Sequence, residues 1–186
     1  MKHREKSKTH ADAASLWANR GQRRPDFALP PGPDQESVWD YPRPPLLRPD
    51  TRLVQVEING HEIARSRNTI RVLETASPPT FYIPPADVLV DLLHSNPSRS
   101  HCEWKGFARY WNFENEGESI PSVGWSYPEP TLEFEAIAGW FGFYPSRALC
   151  RVDGRPVQAQ AGEFYGGWIT PEVIGPFKGD PGTGGW

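Results

Sequence analysis

From Leu53 the chain alternates, with Val54, Val56 and Ile58 on one side and Leu53, Gln55 and Glu57 on the other. A period of two is that of a half-buried strand. Asn59-Gly60 follows, a pair that accepts the two positive φ angles of a type I′ turn, so a hairpin is predicted that returns through His61 to Arg65 with Ile63 facing the core. A third strand is predicted over residues 69–74, where Ile70 and Val72 alternate with Arg71 and Leu73, and a short fourth over 80–83 behind Pro78-Pro79. Pro85 suits a first helical position, and Val88, Leu89, Leu92 and Leu93 predict a brief amphipathic helix before Asn96-Pro97. Further strands are predicted over 102–104, 108–112, 123–125 and 140–144, with a second helix over 131–138 carried by Leu132, Phe134, Glu135 and Ile137.

The flanks read differently. Residues 9–24 predict one short helix, with Thr9 placed to cap it, an alanine-rich run around Leu16 and Trp17, and Gly21 to end it. Prolines then punctuate an extended strap in which Val38, Trp39 and Tyr41 are the apolar groups expected to be pinned to a core. Beyond Tyr144 regular signals fade into a glycine-rich and aromatic-rich tail, with a turn at Asp153-Gly154 and expected anchors at Phe164, Tyr165, Trp168 and Phe177. That tail lacks the Gly-x-x-x-x-Gly-Lys-Ser/Thr spacing of a phosphate-cradling loop. The predicted organisation is a basic arm (1–24), a Pro-rich strap (25–50), a β-rich core (51–146) and a C-terminal strap packed on that core (147–186).

Composition narrows the function classes. With 186 residues there is room for one domain and its tails. Proline (21) and glycine (17) together exceed a fifth of the chain, which favours short elements and many turns. No apolar run approaches the ~20 residues needed to cross a bilayer, and Met1-Lys2-His3-Arg4 leads into charge, so a cytoplasmic protein with no membrane partner is expected. The two cysteines, Cys102 and Cys150, are then expected to be free thiols, and without a Cys-x-x-Cys pair no metal and no cofactor are predicted. Residues 1–24 carry a net charge of +5 and the remainder −8. An acidic body repels phosphate, so nucleic acid is not an expected partner, and only the arm could contribute to such binding or dock an acidic protein.

Four segments appear in order: Arg71-Val72-Leu73-Glu74-Thr75 with Tyr82-Ile83-Pro84; His101-Cys102-Glu103-Trp104-Lys105-Gly106 with Ala108 and Tyr110-Trp111; Trp125-Ser126-Tyr127-Pro128-Glu129-Pro130; and Phe143-Tyr144. Together they resemble the core of the family known as domain of unknown function 427. The resemblance implies a mostly β fold (α+β with few short helices) of compact antiparallel sheets similar to the β-tent arrangement, with extended N- and C-terminal straps. Zinc-binding proteins of that arrangement hold the metal by paired Cys-x-x-Cys motifs, which this chain lacks. A nucleotidyltransferase activity has also been attached to the family, but the Gly-Ser pair and spaced aspartates of that chemistry do not occur here.

The same segments concentrate the candidate chemistry. Trp104, Tyr110, Trp125 and Tyr127, with Tyr82, offer flat faces and hydrogen-bonding tips suited to a planar or cationic ligand; each taken alone is better explained as core, whereas the group favours a cleft lined by some of them. Arg71, Glu74, Lys105 and Glu129 are the candidate charged selectors. Gly106 is expected to relax the backbone so that Lys105 can aim at a carboxylate or phosphate, the competing reading being an ion pair with Glu74 or Glu103. Cys102 is the candidate nucleophile, against a buried and unreactive thiol. On a regular strand Cys102 and Trp104 share one face while His101 and Lys105 point away, which counts against activation of the thiol. The sequence therefore supports a module that binds an unknown small molecule, and, as the alternative, an enzyme that uses Cys102 or the carboxylates Glu74 and Glu129 at the same cleft.

Overall fold

The computed structural model describes residues 17–162 and 164–186. It is mostly β, built from several small antiparallel sheets. In chain order the elements are β1 (Glu36–Ser37), a 3₁₀ turn (Val38–Asp40), β2 (Leu46–Asp50), β3 (Val54–Ile58), β4 (His61–Ser66), β5 (Thr69–Leu73) and β6 (Thr80–Tyr82). Two 3₁₀ turns, Pro85–Asp87 and Val90–Leu92, lead into β7 (Leu93–Cys102), β8 (Gly106–Asn115) and β9 (Glu118–Ser126). A longer 3₁₀ segment, Leu132–Ile137, precedes β10 (Phe141–Phe143) and β11 (Leu149–Val152). Four two-residue strands follow: β12 (Arg155–Pro156), β13 (Gln158–Ala159), β14 (Trp168–Ile169) and β15 (Val173–Ile174).

Three sheets carry the architecture, with strand orders β12-β11-β3-β4, β10-β9-β8-β7 and β2-β5-β6. The β3–β4 hairpin forms as its sequence predicts: Val54, Val56, Ile58 and Ile63 are buried, and Asn59 (φ 49°) and Gly60 (φ 81°) make the turn. β2 and β11, from either side of residues 51–146, pair with β5 and β3. One apolar cluster joins Val54, Val56 and Ile63 to Phe81, Phe113, Phe143 and Trp168. A second, aromatic cluster gathers Tyr82, Trp104, Trp125, Tyr127, Phe134 and Tyr144. A third holds the N-terminal strap, where Val38, Trp39 and Tyr41 pack on Leu73 and Val173. The Trp39 indole donates to Pro176 O at 3.0 Å.

The helices depart from expectation. The one predicted over residues 9–24 lies outside the described residues up to position 16, and residues 17–24 form bends. The one predicted after Pro85 is replaced by the two 3₁₀ turns and the start of β7. Its backbone groups bond outward, Leu89 N–H to Ile63 O at 2.8 Å and Val88 bridging Ala64, so the segment is spent on extending β4 rather than on itself. An apolar pattern of so few residues cannot offset helix nucleation. The second predicted helix is the six-residue 3₁₀ segment, in which Phe134 and Ile137, three apart, are both buried, as three residues per turn requires. Among the predicted tail anchors Trp168 is fully buried and Phe177 partly so, whereas Phe164 is 63% exposed.

Candidate functional site

The β7–β8 hairpin shapes the site. Cys102 pairs with Gly106, which leaves Glu103, Trp104 and Lys105 as a three-residue loop rather than a strand, and Gly106 takes a φ of 92° that suits glycine. Strand alternation would send Lys105 away from Cys102 and Trp104; in this loop it no longer applies, and all three side chains turn toward one space. Thr131 fixes the loop from outside, its hydroxyl donating to Trp104 O at 2.6 Å and its N–H to Lys105 O at 3.3 Å.

That space is a cavity of about 350 Å³. Val72 and Glu74 contribute one wall, Tyr82 of β6 and Trp125 of β9 the next, and Ser100, Cys102 and Tyr110 of β7 and β8 another. Trp104, Lys105, Tyr127 and Tyr144 complete the inner surface. The Trp125 indole N–H donates to Tyr82 Oη at 3.1 Å, and its ring lies 4.5 Å from that of Tyr144. Two glycines make room for this indole. A Cβ on Gly166 would overlap the ring, and one on Gly142 would approach it to 2.7 Å. Ser100 and Tyr110 hydroxyls share a hydrogen bond of 2.7 Å.

Charge is unevenly satisfied around this void. Glu74 is engaged by Arg43, whose Nε lies 3.3 Å from Oε1 while its other guanidinium nitrogens bond main-chain oxygens, including Thr75 O at 3.0 Å. Lys105 is buried, with its Nζ 5.6 Å from the Phe134 ring and 5.8 Å from that of Tyr127. Burial alone would lower its pKa, but the influence of Cys102, Tyr82 and Glu74 outweighs that and raises it above the usual lysine range. Burial pushes the Tyr82 hydroxyl up to about 12 against the opposing influence of Lys105 and Trp125, so it stays protonated at neutral pH. Cys102 is half-buried at the cavity wall, whereas Cys150 is enclosed in β11 and burial pushes its thiol well up. Among the described residues no cluster of three His, Cys, Asp or Glu side chains is placed to hold a metal ion.

Eight of the ten predicted site residues line the cavity: Glu74, Tyr82, Cys102, Trp104, Lys105, Tyr110, Trp125 and Tyr127. Arg71 does not. It lies on the opposite face of β5 from Val72, where it pairs with Glu36 and, at 3.0 Å, with Asp50. Glu129 is also absent, since it follows Pro128 in the exposed stretch beyond Tyr127. Glu74 and Glu129 therefore do not face each other across the cleft as an acid–base pair. The sequence reading missed the rim, formed by Trp17, Tyr165, Gly166 and Lys178. Lys178 Nζ lies 4.5 Å over the Trp17 ring and donates to Trp186 O at 3.1 Å. One signal pointed to it: Lys178 is the only basic residue after Arg155.

The family model described as domain of unknown function (DUF427) matches residues 46–157. The chain belongs to that family, which the four ordered segments had suggested. No curated protein matches the chain. Among the described residues no helix is long and apolar enough to cross a membrane.

Proposed function

We propose that this protein is a small-molecule-binding module whose ligand occupies the aromatic cavity at the β7–β8 hairpin. The observation that carries the reading is convergence: aromatic faces from four separate chain segments and a buried ammonium surround a void of about 350 Å³, within the ~300–1,000 Å³ range of ligand pockets. A core that needed only to be filled would not turn a buried lysine toward a cavity, because desolvating that charge is costly without a partner. The reading requires no metal, membrane or nucleic acid, and its two unpaired cysteines suit a reducing cytoplasm. A library of fluorinated aromatic fragments, read by ¹⁹F line broadening, tests it. Several fragments should broaden with the natural protein and lose that broadening with Ser100→Trp, which fills the void from β7. The same broadening in the variant, or none in either protein, contradicts the reading.

A second reading is supported by one adjacency. Cys102 and Lys105 line the same cavity, and a neighbouring ammonium is the kind of group that stabilises a thiolate nucleophile. Under it, iodoacetamide at pH 7 should alkylate Cys102 about tenfold or more faster than glutathione, with the fast phase absent in Cys102→Ser. A rate no greater than that of glutathione removes the nucleophile and leaves the binding module.

A further inference from the structure

The charges and donors around the cavity are selective as to what can enter, granted the binding reading above. Glu74, the one carboxylate on the inner wall, is already engaged by Arg43 at 3.3 Å. Glu103, at the rim, accepts the Trp17 indole N–H at 3.0 Å and is exposed to water. Lys105, by contrast, forms no ion pair with any described residue, although it is buried and faces the void. A buried ammonium calls for an anion at close range.

Two further groups point the same way. Tyr82 Oη accepts the Trp125 indole N–H at 3.1 Å, so the hydroxyl's own hydrogen is free to be donated elsewhere, and Lys105 is among the groups acting on that hydroxyl. Lys178 is a second cation on the same void, and burial together with the nearby Arg43 depresses its pKa, against opposition from Glu74 and Glu103. An anion would relieve that repulsion, whereas a cationic ligand would add to it. The aromatic faces of Tyr127 and Trp125 on the same inner surface favour a planar skeleton over a branched aliphatic one.

We infer that the cavity takes a planar organic anion, its carboxylate seated on Lys105 Nζ and Tyr82 Oη and its ring against Tyr127 and Trp125. Lys105 thus serves as an anion seat. A void near the lower end of the usual pocket range has room for about one fused two-ring system.

Three probes of one shape test this with the full chain: 2-naphthoate, 2-naphthamide and 2-naphthylmethylamine, titrated at pH 7 and low ionic strength by calorimetry. The naphthoate should bind about tenfold or more tighter than the amide, with the amine weakest. Lys105→Met, checked for native near-ultraviolet circular dichroism, should bind naphthoate and naphthamide alike. If that variant does not fold, Lys178→Met should still narrow the preference for naphthoate severalfold while the order in the natural protein stands. An amide or amine that binds as tightly as the naphthoate overturns the inference while leaving the cavity a binding site. An undiminished preference for naphthoate in folded Lys105→Met overturns Lys105 as the seat. If none of the three binds the natural protein, the inference falls, and if the fluorinated fragments also fail, the binding reading falls with it.

Discussion

Arg71 and Lys105 show how a single side chain's surroundings decide its role. Both are basic, both stand in segments characteristic of the family, and both were expected at the ligand. Arg71 is instead taken up by carboxylates, with Glu36 and Asp50 on it and Arg52 bridging Asp50 to Glu172. Its place on the far face follows from period two, since Val72 and Glu74 face the cavity. The sequence named the charge but could not name its partners, because Glu36 and Asp50 come from the strap and β2. This network has a pH signature. Burial would raise the Asp50 pKa, but hydrogen bonds and charge from Arg52, with Arg71 beyond, outweigh it and hold the carboxyl below its ordinary value of 3.8. A carboxyl depressed in the folded state contributes stability that is fully present above the ordinary value and is lost as pH falls through the folded one. Urea midpoints should therefore drop as pH is lowered from about 4 toward 2. Asp50→Asn should cost about 1–3 kcal/mol at pH 7 and flatten that acid limb. An acid limb unchanged in the variant would show that Asp50 is not the group responsible.

At the scale of elements, local signals succeeded where the backbone satisfies itself nearby and failed where it bonds across the molecule. Asn59-Gly60 carries its own turn chemistry, and the alternation of Val54, Val56 and Ile58 needs only one buried face. The Val88–Leu93 segment held an equally plain apolar pattern, but its hydrogen bonds go to Ile63 and its bridge to Ala64, partners that no local window contains. The hairpin loop Glu103-Trp104-Lys105 failed for a related reason: β7 ends at Cys102, two residues before the expected end, and in the loop that follows Lys105 turns to the side that Cys102 and Trp104 share. Glycine spacing allows a test at this scale. Gly60→Ala meets no atom within 4 Å and suffers only from its φ of 81°, so it should cost about 1 kcal/mol and leave the aromatic signals unchanged. Gly166→Ala places a methyl group on the Trp125 indole, and should cost about 1–3 kcal/mol and alter near-ultraviolet circular dichroism. Equal spectra for the two variants would contradict the packing of the strap on Trp125.

For the whole molecule, labour divides between an inner surface drawn from the family's matched region and a rim drawn from outside it. Residues 46–157 supply Glu74, Tyr82, Cys102, Lys105 and Trp125, while Trp17 comes from the N-terminal arm and Tyr165 and Lys178 from the C-terminal strap. The inner surface was legible because its residues sit in recognisable runs; the rim was not, because chain closure brings together positions far apart in sequence. The straps also complete the core. Trp39 and Trp168 are fully buried, and the Trp168 indole donates to Phe143 O at 3.0 Å while its ring lies 4.9 Å from Phe81. Losing two such side chains, at about 3–5 kcal/mol each, would consume most of the 5–15 kcal/mol by which a domain is stable. A fragment of residues 46–157 should therefore show no cooperative thermal transition, and a sharp transition would show that the straps are accessory.

The most direct measurement is a crystal structure of the full chain with 2-naphthoate. The carboxylate should lie within about 3 Å of Lys105 Nζ and Tyr82 Oη, with the ring against Tyr127 and Trp125. A naphthoate bound in the reverse sense, or seated anywhere other than this cavity, would contradict that placement.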